Sequence, residues 1–167
     1  MPTEQDLFFE SLYRSSFAKL KTIAYSQIRN IHVAEELAQE AFVVALKDYE
    51  TFRQHEQPFA YLKAVLKYKV LEYKRETSRY RKLFLSMGHE VMANVRAPSN
   101  PSPISAPGIL ETVRETLTDD EWYILWKFAM EGVPHRQIAD ELGITVPASH
   151  KRLERIRKKL EDVLPEY

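Results

Sequence analysis

The sequence contains no cysteine, little glycine and no long hydrophobic run, and each of these absences excludes a class of protein. Without cysteine, the 167-residue chain can form neither a disulfide framework nor a thiolate metal site. Its apolar runs, such as Ala41–Leu46, are far too short to cross a bilayer, and the first residues, MPTEQDLFFE, are acidic where a secretory signal is basic. We therefore expect a cytoplasmic globular protein that is not inserted in a membrane.

Signatures of catalysis and of metal or cofactor binding are also missing. The five histidines, which are His32, His55, His89, His135 and His150, are scattered without ligand spacing. No glycine-rich phosphate loop occurs, and no nucleophile lies beside a plausible base in a recognisable motif. The sequence therefore predicts that the chain is not an enzyme and holds no metal or cofactor, and that each histidine is a surface or cap residue.

The whole chain has no excess of positive or negative charge, but some of its segments do. Lys and Arg number 24 and Asp and Glu also number 24, so the formal net charge is +0. Residues 62–82, however, contain eight basic and two acidic residues, and residues 148–160 contain six basic and one acidic residue. Acidic residues concentrate at 35–50 and 111–121. Because attraction to phosphates depends on local patches, the chain can still bind nucleic acid.

Helical periodicity dominates the rest of the sequence. Glycine occurs only four times, and nearly every segment outside 86–108 spaces its apolar residues three and four apart. Four of the nine prolines lie within the stretch RAPSNPSPISAPG, which lacks the donors of a helix ladder. The sequence therefore predicts an all-α protein with two small helical domains, at 5–85 and 109–165, joined by a flexible linker at 86–108.

The C-terminal domain has the pattern of a helix-turn-helix. Thr118 and Glu121 form a capping box at the start of one helix. A short helix at 134–142, a tight turn at Gly143 and a further helix capped by Thr145 follow. Basic side chains (Lys151, Arg155 and Lys158) lie off the apolar stripe of that last helix, as they do on a helix that enters the major groove. A solvated amphipathic helix in an ordinary bundle would show the same charges.

Ser149 interrupts the apolar stripe of this last helix. The stripe comprises Leu153, Ile156, Leu160 and Val163, and Ser149 falls on the same line one turn earlier. A branched aliphatic residue would pack better at this position. We expect the Ser149 hydroxyl to bond back to Thr145 at little cost.

The segment 59–84 interleaves aromatic and cationic side chains. Helical spacing predicts a core face (Phe59, Leu62, Val65, Leu66, Tyr73, Tyr80 and Phe84) on one long helix or on two helices broken near Thr77. A second stripe collects Tyr61, Ala64, Tyr68, Glu72, Arg75 and Arg79. Rings beside guanidinium groups suit the stacking of unpaired bases, although the same side chains would also serve as amphipathic cover for the core.

The acidic segment AEELAQEAFVVALKDY predicts a helix with an unusual outer face. Its inward stripe consists mostly of small residues (Ala34, Leu37, Ala38, Ala41, Ala45 and Tyr49). Val43 and Leu46 lie instead on the side that carries Glu36, Gln39, Glu40 and Lys47. An apolar centre with a polar surround suits a helical protein partner, but single exposed aliphatic residues are also common on surfaces.

In this order, the parts resemble a bacterial sigma factor of the extracytoplasmic-function type, which carries sigma regions two and four. The matching sequences are AEELAQEAF, the helix start at 59–62, and LTDDE…HRQIADELGIT…KRLERIRKKL after the linker. The resemblance covers nearly the whole chain apart from the linker. Tyr68 and Glu72 depart from it, because many such factors have Asn and Asp there. Ala148-Ser149-His150 also departs from the usual Thr-Val-Lys.

The resemblance implies a role for each surface. The β′ clamp helices of RNA polymerase core would be bound by Glu36, Gln39, Glu40, Val43, Leu46 and Lys47. The promoter element nearer the start site would be melted and read by Tyr61, Lys67, Tyr68, Glu72, Arg75 and Arg79. The upstream promoter element would be read by Arg136, Ala148, Ser149, His150, Lys151, Arg152 and Arg155. The polymerase β flap and an anti-sigma factor are further implied partners.

Two other interpretations stay open on the sequence alone. A sigma-like decoy that binds an anti-sigma factor would account for the departures at Tyr68 and Ser149. A conventional helix-turn-helix repressor or activator would dimerise through its N-terminal half and bind a palindromic site by itself. A sigma factor would instead initiate transcription only together with core polymerase.

Overall fold

The computed structural model describes residues 1–85 and 108–167, and in these ranges the chain is all-α, as predicted. The helices are α1 (Glu4–Ile28), α2 (Ile31–Lys47), α3 (Tyr49–Arg53), α4 (Pro58–Leu85), α5 (Ile109–Thr116), α6 (Asp119–Ala129), α7 (His135–Leu142) and α8 (Val146–Glu161). Packing groups the chain into two compact units, Met1–Tyr73 and Lys74–Tyr167, so the division falls inside α4. The predicted linker lies outside the described residues except for Gly108, and the functional domain boundaries stay a prediction.

In the first unit, α1 and α2 pack closely because the buried face of α2 is mostly alanine. Ala34, Ala38, Ala41 and Ala45 are fully buried, together with Leu37. Side chains this small allow two helix axes to approach each other. Tyr49, which was also expected on the inward stripe, belongs to the short helix α3 and is half-buried there, with its ring 5.6 Å from that of Phe9.

Helix α4 is continuous, so the alternative of two helices broken near Thr77 is not observed. Most of its predicted core face is buried (Leu62, Leu66, Tyr73, Tyr80 and Phe84), whereas Phe59 and Val65 are half-buried. Thr77 is itself fully buried within the helix. The sequence interpretation did not identify three further buried residues of this helix, Lys69, Val70 and Leu83.

In the second unit, α6, α7 and α8 form the predicted helix-turn-helix. Both predicted caps are confirmed: Thr118 and Glu121 form a reciprocal capping box, and the backbone amide of Ala148 donates to the Thr145 hydroxyl at 3.2 Å. Gly143 ends α7 in the left-handed region at φ 66°, where a side chain would strain the backbone. The inward face of α8 is buried at Leu153, Ile156 and Leu160, whereas Val163, which was expected on the same stripe, lies beyond the end of α8 and is half-buried.

Ser149 is fully buried and its hydroxyl bonds to His135 rather than to Thr145. The Ser149 Oγ lies 2.8 Å from Nδ1 of His135. The His135 residue is only 8% exposed, and its ring centroid lies 4.5 Å from that of Phe128 and 3.8 Å from that of His150. Two predictions are therefore wrong: the Ser149 hydroxyl does not bond back to Thr145, and His135 is neither a surface residue nor the cap of α7, which is Pro134. Both polar groups are buried because each supplies the hydrogen bond that the other needs.

The described residues contain neither a membrane-spanning helix nor a metal-binding cluster. No helix within 1–85 or 108–167 is both long and apolar enough to cross a bilayer. The same ranges hold no group of three His, Asp or Glu side chains that could bind a metal ion together.

We expect Ser149→Ala to lower the free energy of unfolding of the second unit by about 1–3 kcal/mol, because the buried His135 nitrogen loses this hydroxyl. Urea unfolding followed by tryptophan fluorescence measures the change in this unit alone. Both tryptophans of the chain, Trp122 and Trp126, lie on α6.

The matched control is the double variant Ser149→Ala/His135→Phe. It should recover most of the lost free energy, because both polar partners are then replaced by apolar groups. A Ser149→Ala variant as stable as the parent would show that this hydrogen bond does not hold α7 and α8 together.

Candidate protein and nucleic-acid interfaces

The outer side of α2 forms a mixed surface that we call the α2 face (Glu36, Gln39, Glu40, Val43, Leu46 and Lys47). Asn30 fixes the start of the helix by accepting hydrogen bonds from the backbone amides of His32 and Val33, at 3.0 and 3.2 Å. The buried alanines fix the rotation of the helix about its axis. As a result, Val43 is 47% and Leu46 is 49% exposed, which confirms their predicted exposure.

An open apolar groove adjoins the α2 face, between α1 and α2. Its volume is about 380 Å³, and it is lined by Phe9 and Tyr13 of α1, by Phe42, Val43 and Leu46 of α2, and by the charged side chains of Asp6, Glu10 and Arg14. The α1 residues were not among the predicted site residues, although Phe9 and Tyr13 are spaced one helical turn apart. They extend the apolar area available to a partner beyond Val43 and Leu46.

Behind the α2 face, Lys69 of α4 is a buried cation between two carboxylates. The residue is 5% exposed, and its Nζ lies 3.6 Å from Oε2 of Glu40 and 3.6 Å from Oε2 of Glu72. These are ion-pair distances rather than hydrogen bonds. Burial raises the pKa of the Glu40 carboxyl, and the Lys69 ammonium opposes that rise. Glu40 was predicted to face polymerase and Glu72 to face DNA, so Lys69 brings two predicted sites together.

The outward residues of α4 form a second surface, which we call the α4 surface (Tyr61, Lys67, Tyr68, Glu72, Arg75 and Arg79). Tyr68 is 62% exposed, and Lys67, Arg75 and Arg79 are exposed as well. Tyr61 is half-buried, because its ring packs 5.0 Å from that of Phe52. An exposed ring among cations can stack an unpaired base and hold the neighbouring phosphates.

The helix-turn-helix presents a third surface, which we call the α8 face (Arg136, Ala148, His150, Lys151, Arg152 and Arg155). Arg136 comes from the first turn of α7 and the others from α8. All are exposed except Ala148, which is half-buried. Ser149 was predicted to contact DNA as well, but its side chain is fully buried and cannot reach a base from this position. It supports α8 through His135 instead.

Two models of the sigma-70 family match the chain, and together they contain the three surfaces. The model described as Sigma-70 region 2 matches residues 12–80, which include the α2 face and the α4 surface. The model described as Sigma-70, region 4 matches residues 109–160, which include the α8 face.

Similar proteins extend this match over most of the chain. A probable RNA polymerase sigma factor of Haemophilus influenzae is 25% identical over 174 aligned residues, covering 87% of this chain and 84% of that protein. RNA polymerase sigma factor YlaC of Bacillus subtilis is 23% identical over 155 residues, covering 91% and 89%. The solved structure of sigma factor RpoE with anti-sigma factor NepR from Bartonella quintana is 16% identical, covers 93% and 96%, and gives a TM-score of 0.42.

Both sigma regions therefore match in the predicted order, and each match contains the exposed surfaces described above. The two relatives named as sigma factors align with this chain over more than four fifths of their own lengths. The chain belongs to the sigma-70 family and is a sigma factor of the extracytoplasmic-function type, which directs RNA polymerase to promoters.

Proposed function

We propose that the three surfaces have separate partners during promoter recognition. The α2 face binds core RNA polymerase, the α4 surface captures unpaired promoter bases, and the α8 face reads the upstream element in the major groove. The observation that carries this assignment is that exposed cations are concentrated on α4, whereas the α2 face combines exposed aliphatic side chains with carboxylates. Val43 and Leu46 are exposed on α2, whereas Tyr68 and Arg75 are exposed on α4. An apolar centre suits a protein partner, and clustered cations suit phosphates.

On the α2 face, the proposed partner is the pair of β′ clamp helices. Val43 and Leu46 are about half exposed. Covering the exposed half of each side chain contributes about 1 kcal/mol. Glu36 and Gln39 surround them with polar groups that set orientation, and the groove beside Phe9 and Tyr13 accepts further apolar contacts. A helix laid into a groove of this kind is a common recognition mode.

On the α4 surface, stacking has to offset the cost of opening the duplex. Extracting a base costs a few kcal/mol. Stacking on an aromatic side chain returns about 1–3 kcal/mol per base. The exposed ring of Tyr68 can serve as such a platform, and the exposed cations Arg75 and Lys67 can attract the adjacent phosphates. The protein therefore binds the opened strand rather than forcing the duplex apart by itself.

On the α8 face, cations position the helix and base edges specify the site. Lys151, Arg152 and Arg155 are exposed along α8, and Arg136 is exposed on α7. Guanidinium and ammonium groups can donate to guanine edges or to phosphates, whereas His150 can donate or accept through its ring nitrogens. Because the net charge of the chain is +0, we expect weak binding of duplex DNA without polymerase.

The other two interpretations of the sequence are not favoured. A dimeric helix-turn-helix regulator does not account for the match of sigma region 2 over residues 12–80, and the aligned relatives are named as sigma factors rather than decoys. The chain is a DNA-binding initiation factor, and RNA synthesis belongs to the polymerase. Contact with the β flap, an anti-sigma partner and a cytoplasmic location stay predictions.

For the α2 face, we expect Val43→Glu/Leu46→Glu to weaken binding to core polymerase at least tenfold, because docking would bury two unpaired charges. Anisotropy titration of the labelled chain with purified core measures the dissociation constant. Ile31→Glu is the matched control, because Ile31 is exposed to a similar degree at the start of the same helix. Equal affinity of the double variant and the parent would contradict docking through this face.

For the α4 surface, we expect Tyr68→Ala and Arg75→Ala to reduce promoter opening by about tenfold while duplex attachment changes little, since the loss of one stacked base is about 1–3 kcal/mol. Permanganate reactivity of thymines measures opening, and filter binding of the same complexes measures attachment. Lys63→Ala removes an exposed cation that lies one turn before Lys67 but about 140° around α4 from Tyr68, and it should leave opening unchanged. Parent-like permanganate patterns in both variants would contradict strand capture by this surface.

For the α8 face, we expect Lys151→Ala/Arg152→Ala to weaken binding of the polymerase complex to promoter duplex and to reduce its salt dependence. Each lost phosphate contact lowers the slope of log K against log salt by about one. Lys158→Ala, which removes an exposed cation near the end of α8, is the matched control. A slope identical to that of the parent would show that these side chains do not reach the backbone of the DNA.

A further inference from the structure

We propose that Lys69 is a positioning residue that couples the α2 face to the α4 surface, so that docking of core polymerase strengthens capture of the unpaired strand. This inference rests on the proposed function, because it assigns a link between two of its surfaces. At 5% exposure, Lys69 is too buried to contact either partner directly. It acts through the two carboxylates beside it.

The first step of the argument is the position of Lys69 in α4. It lies on the buried stripe of the helix, three residues after Leu66 and four before Tyr73, where an apolar side chain would ordinarily pack. A buried ammonium is costly unless it is paired with anions. Glu40 from α2 and Glu72 from α4 provide that pairing, each at 3.6 Å. The three side chains therefore form one charged cluster that bridges the two helices.

The second step concerns the balance of charge in this cluster. One ammonium is shared between two carboxylates at equal distances, so ionising both leaves one negative charge in excess. Part of that excess lies on Glu72, which belongs to the α4 surface. A carboxylate there repels the phosphates of a bound strand, whereas a neutralised one does not. The sharing of Lys69 thus keeps the α4 surface less attractive to DNA in the free chain.

The third step is the unused hydrogen-bonding capacity of Glu40. Within residues 1–85 and 108–167, its Oε2 is buried and accepts no hydrogen bond. Because the Glu40 side chain is 24% exposed, a donor on a polymerase helix docked at the α2 face would bind the accessible part of its carboxylate and weaken the attraction of Oε2 for Lys69. Lys69 can then approach Glu72 to hydrogen-bond distance, about 2.8 Å. Docking thereby neutralises Glu72, and by linkage strand capture strengthens docking by the same factor.

The test measures binding of a labelled single-stranded oligonucleotide to the full chain without polymerase, at low ionic strength. Its sequence is selected from a randomised pool by the parent complex with core polymerase. We expect Glu40→Gln to tighten binding about fivefold, a coupling of ordinary size, because Lys69 is then free to neutralise Glu72. This variant releases Lys69 from Glu40 in the absence of polymerase. The increase in oligonucleotide affinity therefore measures the coupling alone.

A second pair of variants separates the coupling from a purely structural role of Lys69. Lys69→Met keeps the aliphatic stem and should weaken oligonucleotide binding about tenfold, because Glu72 is left without a cation. Adding Glu72→Gln to Lys69→Met should restore binding to within about threefold of the parent, because the repelling charge is gone. A merely structural Lys69 would not be rescued in this way. Lys63→Met, on an exposed part of the same helix, is the control and should bind like the parent.

The outcomes distinguish this inference from the proposed function. A parent chain that binds neither core polymerase nor the oligonucleotide would overturn the proposed function itself. A parent that binds both, with no tightening in Glu40→Gln or no rescue by Glu72→Gln, would overturn only the coupling through Lys69.

Discussion

DNA binding by this protein depends on where its cations lie, because its charges sum to +0. A chain without net charge gains little from long-range attraction to DNA. It can hold phosphates only where local clusters outweigh the nearby acids, as we propose for the α4 surface and the α8 face. The acidic α2 face lies on a different helix from either cluster. This segregation allows one small chain to bind both a protein and a polyanion. We therefore expect stable DNA binding in the complex with polymerase rather than by the free chain.

The helices that carry these surfaces are held in position by buried polar contacts as well as by apolar packing. Polar residues are buried among the apolar side chains of several helices, among them Lys69 on α4 and Ser149 on α8. Lys69 pairs with Glu40 on α2, and Ser149 bonds to His135 on α7. Each link joins a helix that carries a proposed DNA-binding surface to a neighbouring helix. Because a buried polar group has few acceptable positions, such links define the orientation of a helix more narrowly than an apolar contact would.

The sequence predicted what depends on local chemistry and missed what depends on tertiary partners. The caps at Thr118 and Thr145 and the exposure of Val43 follow from spacing and side-chain type, and the structure confirms them. Lys69 falls on the apolar stripe of α4, so its burial had a signal in the sequence, but its partner Glu40 lies on another helix. The same holds for His135 and Ser149, because their side chains come together only when α7 packs against α8. The groove was missed because it needs Phe9 of α1 beside Phe42 of α2. The roles of the individual site residues stay predictions.

The central claim is that this chain recognises promoters as part of RNA polymerase rather than alone. In vitro transcription from a randomised promoter library, with purified core polymerase and with or without the chain, tests it most directly. The account predicts transcripts from a defined set of templates that share two separated sequence elements, and only when both proteins are present. Absence of such transcripts, together with tight binding of the free chain to palindromic duplexes, would contradict it.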